Sequence, residues 1–482
     1  MKLRYSLKFT FLFLFSLFLL NCSSKTENIP VDIEINDFVW KGLNAYYLWQ
    51  DEKPDLADRR FNNQEELNIF LAGFPSPEDI FENLLFRPTD RFSVIVDDYV
   101  ALENSFQGIN VSNGMEFGLV RYSDGSSNVF GYVRYVIPNS DAFTKGVTRG
   151  MIFNKVDATQ LTTTNFASLL FSSNTNYVIE LANYNNGNPV SNNTMISLDK
   201  IQLQENPIAI SKVITDGSQK IGYLMYNQFS SAFDVQLNAA FNNFKNENIN
   251  DLIIDLRYNG GGSVRTATYL GEMVTGQFTG EIFSKEIWNS KVQEAINPDN
   301  FINTFTNQIN HSNITETIHS LNLTRVFFIV SGSSASASEL IINSLSAYID
   351  VKLVGTTTVG KQVGSITLYD SENYTRNGGN LNQNHTYAMQ PIVLEIVNKN
   401  DQNKPNGFTP GSTLPGIVLA EDFGNLGVLG ERSDPLLDRT LVYISTGNRQ
   451  SFTTNSSIKN NEVYNSKLAT PISNNMYVEF NN

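Results

Sequence analysis

From residue 205 onward, short apolar runs alternate with longer amphipathic stretches, and this alternation restricts the chain more than any other feature. Ile221–Tyr226, Leu252–Leu256, Arg325–Val330 and Val351–Val354 read as buried strands. Helical patterns cover 233–247 and Leu340–Ala347. Alternation of this kind implies an α/β domain with a largely parallel sheet, since a parallel neighbour is reached only through a crossover. Residues 386–396 add a further strand. Sites in open sheets of this type form at the strand ends, so the loops that follow these runs come first in the search for chemistry.

The rest of the chain has different textures. Residues 36–50, 64–72 and 77–86 carry helical spacing, punctuated by Pro75 and Pro77. Between 103 and 200, β-branched and aromatic runs alternate with Gly, Asn and Ser turns, as in a small β-rich module. At the start, Lys2, Arg4 and Lys8 precede an apolar run over 9–20 that is shorter than the roughly 20 residues of a membrane span. Cys22 follows directly and is the only cysteine, so the remainder offers no intramolecular disulfide, cysteine metal site or thiol nucleophile. The net charge of −14 opposes nucleic-acid phosphates, and no nucleic-acid partner is expected.

Three strand-end segments carry reactive groups. Asp255-Leu256-Arg257-Tyr258-Asn259-Gly260-Gly261-Gly262 directly follows the run Leu252–Ile254, and its glycines can turn backbone N–H groups into a cavity. Ser331 to Glu339 (SGSSASASE) joins a strand to a helix, where the helix dipole favours developing negative charge. Ser336-x-x-Glu339 also reads as a capping box, a purely structural device. The third is Gly355-Thr356-Thr357-Thr358-Val359-Gly360-Lys361-Gln362. A lysine here, just past a buried strand in a weakly charged neighbourhood, is placed for desolvation to favour its neutral, basic form. A serine nucleophile needs such a base.

Together, "DLRxNxGG" at 255–262, "SASASE" at 334–339 and "GK" at 360–361 resemble the carboxyl-terminal processing peptidases, which include tricorn-type relatives. The resemblance implies Ser336 as nucleophile and Lys361, 25 residues later, as base. It implies an oxyanion hole from the amides of Ala337 and Gly261, with no cofactor and no metal. Family members have a lysine-orienting Gln four residues after the base. Here that position is Ser365, while Gln362 adjoins the lysine, and either can hold the role. The segment running through Val133–Ala142, Gly146–Ile152 and Thr163–Phe171 resembles a PDZ domain. That implies peptide capture by strand addition at Met115, Phe117, Gly118 and Leu119. Residues 19–22 resemble a bacterial lipoprotein signal with Cys22 as the lipidated residue, and Ser23 is compatible with outer-membrane sorting.

The expected organisation is a signal peptide over 1–21, a tether over 22–35, a helical region over 36–102 and a PDZ-like domain over 103–204. A peptidase core over 205–450, with ClpP/crotonase-like layers of sheet and helices, and a tail over 451–482 complete it. The expected partners are a polypeptide substrate, held by its C-terminal segment, and a membrane reached through the lipid anchor. Two rivals are weaker. Gly355-x4-Gly360-Lys361 begins like a P-loop, but Gln362 stands where Ser or Thr is required, and a strand pattern follows where a helix is required. A peptidase fold that has lost activity and only binds peptides is the second. Three histidines, none beside a G-x-S-x-G motif, disfavour a histidine triad.

Overall fold

The computed structural model describes residues 29–311, 313–447, 462–470 and 473–479. The expected signal peptide and Cys22 lie outside the described residues. The chain forms two compact units, 1–99 with 367–391, and 100–366 with 392–482.

In the first unit, helix Glu34–Tyr46 buries Val39 and Leu43, spaced four apart on one face, against helix Pro77–Leu84. Asn63 and Ser76 cap helices Gln64–Leu71 and Pro77–Leu84, each side chain accepting a first-turn amide. The Tyr47 hydroxyl, buried with its ring, donates to Asp90 at 2.8 Å. Strands Val94–Val96, Leu368–Tyr369 and Ala388–Gln390 make a small antiparallel sheet. Residues 367–391, read from sequence as peptidase core, therefore fold with the N-terminal helices. The chain leaves the core after strand Val363–Ser365 and re-enters as Ile392–Val397.

The second unit contains the β-rich module. Its antiparallel sheet runs Glu462–Asn465, Met115–Arg121, Val129–Val136, Ile152–Val156, Asn176–Asn183, Val190–Asp199. Phe117, Leu119, Val129, Phe153 and Tyr177 pack beneath the short helix Phe166–Leu170. The outermost strand comes from the far end of the chain.

Two six-stranded sheets form the main body of the rest of this unit. In the first, the order is Ile208–Asp216, Gln219–Tyr226, Asp251–Asp255, Arg325–Val330, Asp350–Gly355, Gly416–Val418. Only the first pair is antiparallel, which matches the parallel sheet expected from the alternation. Ile221, Ile253, Ile329 and Val354 pack against Leu437 and Leu441 of helix Pro435–Thr446, an element with no strong sequence signal. The second sheet is Gly262–Ser263, Met476–Tyr477, Val363–Ser365, Ile392–Val397, Ile282–Trp288, Ile302–Thr304. Its strand Met476–Tyr477 is again supplied by the tail, and it lies parallel to both neighbours. Val363–Ser365 is a strand, not the helix a P-loop would need. Among the described residues no helix is long and apolar enough to cross a membrane.

Candidate active site

Ser336 sits where strand Arg325–Val330 passes into helix Ala337–Ser346, with φ +60° and ψ −118°. A side chain with a Cβ in this region costs roughly 1–3 kcal/mol and persists only where its surroundings enforce it. The enforcement is visible. Ala335 N and the Ser338 hydroxyl donate to the Asn259 carbonyl (3.2 and 3.0 Å), and the Ser334 hydroxyl donates to the Leu256 carbonyl at 2.8 Å. The serines flanking Ser336 thus stitch the helix entrance to the glycine loop.

Glu339 forms the second clamp. Its buried carboxyl accepts from the amides of Ser336 (3.1 Å), Gly360 (2.7 Å) and Lys361 (2.8 Å), and from the Thr358 hydroxyl. Burial pushes this carboxyl up and the four donors pull it down, with burial the larger effect. The capping-box residue therefore does more than cap a helix. One side chain fixes both the serine turn and the lysine loop, and this is why two segments 25 residues apart arrive together.

Ser336 and Lys361 are 0% and 1% exposed. They converge on one dipeptide of the tail. The Ser336 hydroxyl donates to the Asn474 carbonyl at 2.7 Å, and Lys361 Nζ donates to Asn475 Oδ1 at 3.3 Å. The Ser365 hydroxyl donates to the same Oδ1 at 2.8 Å, and the Gly262 amide donates to the Asn475 carbonyl at 2.7 Å. Of the two residues considered for orienting the lysine, Ser365 lies in this cluster. Gln362 instead accepts from the amide of Lys404. Asn474 and Asn475 carry no sequence signal, because an Asn-rich tail reads as loop and holds no periodicity that marks a strand.

The glycine loop lies against the serine. Gly261 (φ +115°) leaves no room for a side chain, since a Cβ there would stand 2.5 Å from Ser336 Cβ. Its amide donates to Asn259 Oδ1 at 2.8 Å. Ala337 follows the serine at the first turn and is fully buried. The loop is anchored from behind by Arg257, also fully buried. Its guanidinium meets Asp255 (2.6 Å), Asp434 (2.8 Å) and Glu421 (3.2 Å). Burial pushes the Glu421 carboxyl up, but Arg149, Arg257 and the Tyr258 hydroxyl together outweigh it and hold the group down, to about 2.

A cleft of about 550 Å3 runs from Glu116 and Phe171 of the β-rich module to Gly261 and Asn474. Ser336 and Lys361 do not line it, and Asn474 stands between the cleft and the serine. Met115, Phe117 and Leu119 of the expected peptide-binding loop point into the module's core, while the backbone of their strand pairs with Glu462–Asn465. Arg134 ties the module to the serine loop, donating to Ser333 Oγ at 3.0 Å with its guanidinium 4.8 Å above the Tyr258 ring.

A fold of this kind, with glycine loop, strained serine and buried lysine at adjoining strand ends, is that of a serine peptidase. Residues 220–385 match the model of peptidase family S41 and residues 34–94 that of the peptidase S41 N-terminal domain. Over these residues the chain carries the domains of this family, that of the C-terminal processing peptidases, and it is a serine-type peptidase. Among solved structures, one described as an S41 protease from Bacteroides fragilis is similar over 85% of this chain and 97% of its own, at 22% identity and a TM-score of 0.63. The photosystem II D1 C-terminal processing protease matches over 85% of this chain and all of its own, at 15% identity and a TM-score of 0.49.

Proposed function

We propose that the chain is a lipid-anchored endopeptidase of the bacterial cell envelope, cleaving polypeptides near their C-termini with Ser336 as nucleophile and Lys361 as general base. The observation that carries this reading is the meeting of the Ser336 hydroxyl and the Lys361 amine on consecutive residues beside the glycine loop. Burial favours the uncharged amine, the form a base must have. In the reaction, Lys361 takes the Ser336 proton as Oγ bonds to the scissile carbonyl carbon. The oxyanion is held by the amides of Ala337 and Gly261, each donor being typically worth about 3 kcal/mol. The lysine then passes its proton to the leaving amine as the C–N bond breaks. Water, deprotonated by the same lysine, releases the acyl group as a carboxylate and restores the serine.

The described arrangement is a resting one. Ser336 donates to Asn474 rather than to the lysine, and the Gly261 amide is taken by Asn259. A substrate carbonyl at the hole must displace both contacts. Asn475, with Ser365 behind it, is in position to orient the lysine, the role a Gln fills elsewhere in the family. The envelope location rests on the basic start, the apolar run and Cys22.

The test is incubation of the purified chain with an unfolded polypeptide, with fragments identified by mass spectrometry. Wild type should cut it, and Ser336→Ala and Lys361→Ala should leave it whole. Equal loss of substrate with wild type and Ser336→Ala would remove the assignment, and equal survival would favour a binding scaffold. For the anchor, Cys22→Ala should move the chain from the membrane fraction to the soluble one.

A further inference from the structure

The open edge of the β-rich module is already filled, by the chain itself. Strand Glu462–Asn465 pairs antiparallel with Met115–Arg121, setting Glu462 opposite Val120, Tyr464 opposite Leu119 and Asn465 opposite Gly118. This is strand addition, the mode by which such an edge takes an extended peptide. Tyr464 is the anchor. Its ring lies 5.3 Å from Phe166 and 5.2 Å from Phe171, over a Phe171 that stacks on Phe117 at 5.9 Å. Glu462 pairs with Arg134 at 2.6 Å.

The end of the groove is the informative part. The Phe117 amide, at the loop where strand-adding modules hold a terminal carboxylate, donates instead to Ser466 Oγ at 3.0 Å. That hydroxyl donates to Glu116 Oε2 at 2.6 Å. Glu205 lies close behind, pairing with Lys467 at 3.6 Å. Burial pushes the Glu116 carboxyl up, Lys467 opposes this, and Glu205 adds to it. A free carboxyl terminus at the Phe117 amide would stand against two carboxyl groups. A hydroxyl donor followed by a cation meets complementary partners.

We propose that this groove recognises an internal extended segment, an aromatic residue followed two positions later by a hydroxyl and then a cation, and that residues 462–467 occupy it as a tethered competitor of substrate. The competition half rests on the peptidase function proposed above, whereas the groove's specificity does not. The tether is short at its C-terminal end, because Lys467, Thr470, Ser473 and Asn474 all line the cleft and the Asn474 carbonyl accepts from Ser336. A ligand so held has an effective concentration on the order of millimolar, which a substrate must overcome.

The probe is a fluorescein-labelled peptide of residues 460–468, read by anisotropy on the full chain carrying Ser336→Ala, so that binding is measured without cleavage. Adding Tyr464→Ala should tighten probe binding by about tenfold or more by freeing the groove. A second probe of residues 458–465, ending in a free carboxylate, should bind the freed groove at least about tenfold more weakly. Equal binding of the first probe with and without Tyr464→Ala, or tighter binding of the carboxylate-ended probe, overturns the proposal. If Tyr464→Ala does not fold, the pair Glu462→Ala and Ser466→Ala loosens the same segment without touching the aromatic pocket. With Ser336 intact, Tyr464→Ala should lower KM for an unfolded substrate with kcat unchanged, and an unchanged or raised KM overturns the competition. Groove binding as expected with no cleavage by any chain would overturn the peptidase function alone.

Discussion

Replacing Asn475 by Asp exchanges a neutral acceptor for a carboxylate at almost constant shape. The oxygen that accepts from Lys361 Nζ lies 3.3 Å away, and both side chains are buried, at 4% and 1% exposure. A unit negative charge at that separation attracts an ammonium by about 5 kcal/mol at an effective dielectric of ~20. At fixed pH the share of lysine in its neutral form should then fall by about a thousandfold or more. If Lys361 is the base, the alkaline rise of kcat/KM moves to higher pH, and the rate at neutral pH falls by a similar factor. Asn475→Ala removes orientation without adding charge. It should lower kcat by about 10- to 100-fold and leave the position of the pH limb in place, since that limb reports the base's own titration. The assay is the pH profile of kcat/KM on an unfolded or short peptide substrate for the three chains, with circular dichroism to confirm folding. A profile for Asn475→Asp that overlays wild type would refute the reasoning. The amine near Asn475 would then not be the group whose ionisation limits the reaction.

The remaining predictions concern the scaffold around Ser336 and Lys361. Ser336→Gly should be more stable than Ser336→Ala by about 1 kcal/mol, the reverse of the usual order, because only glycine is at ease at φ +60°; urea unfolding of the two variants decides it. Glu339→Gln should cost roughly 2–4 kcal/mol by the same measurement, since one carbonyl oxygen replaces two carboxylate oxygens serving four donors. It should also lower kcat, as the serine turn and lysine loop lose their common clamp. Glu421 is held down to about 2 from an ordinary value of 4.5, so its share of stability is complete above the ordinary range and is lost as pH falls toward 2. That share amounts to about 3 kcal/mol at 1.36 kcal/mol per unit. The difference in unfolding free energy between wild type and Glu421→Gln should narrow across this window, and a difference independent of pH would count against the pairing with Arg149 and Arg257.

Where the sequence was legible, one local rule was enough. The four central strand runs and the helices at Glu34–Tyr46, Gln64–Leu71, Pro77–Leu84 and Asp234–Asn246 each follow a single periodicity, and they appear within a few residues of expectation. Other elements are settled by contacts that no local window contains. Helix Val264–Val274 buries its polar residues Thr266, Thr268 and Glu272 together with its apolar side, so its full burial does not follow from its period. Strand Met476–Tyr477 is two residues long and exists because Gly262–Ser263 and Val363–Ser365 receive it on either side. The range 386–396 reads as one run of apolar residues, but Pro391 falls between two strands that belong to different sheets. In the site, Ser336, Lys361 and Gly261 carried motif signals. Asn475 carried none, for its role depends only on where a remote strand ends.

The same residues suggest why this site is assembled from so many remote pieces. A serine at φ +60°, an amine in the interior and an amide loop beside them are each unfavourable on their own terms. Each is held by a polar partner from a different segment: Glu339 from the helix, Asn259 from the glycine loop, Asn474 and Asn475 from the tail. Two of those partnerships involve the groups the proposed reaction needs, the Ser336 hydroxyl on Asn474 and the Gly261 amide on Asn259. They keep buried polar atoms satisfied when no substrate is bound; an arriving peptide carbonyl can replace the Asn259 oxygen at the Gly261 amide, while the Ser336 hydroxyl turns from Asn474 to the lysine amine. Exchange of like for like makes the passage from resting to reacting geometry cheap in hydrogen bonds, with the remaining cost falling on displacement of the tail. On the proposed mechanism, the affinity of the tail for the module's edge sets how readily Ser336 is exposed, which ties the proposed peptide groove to Ser336 and Lys361 through the tail.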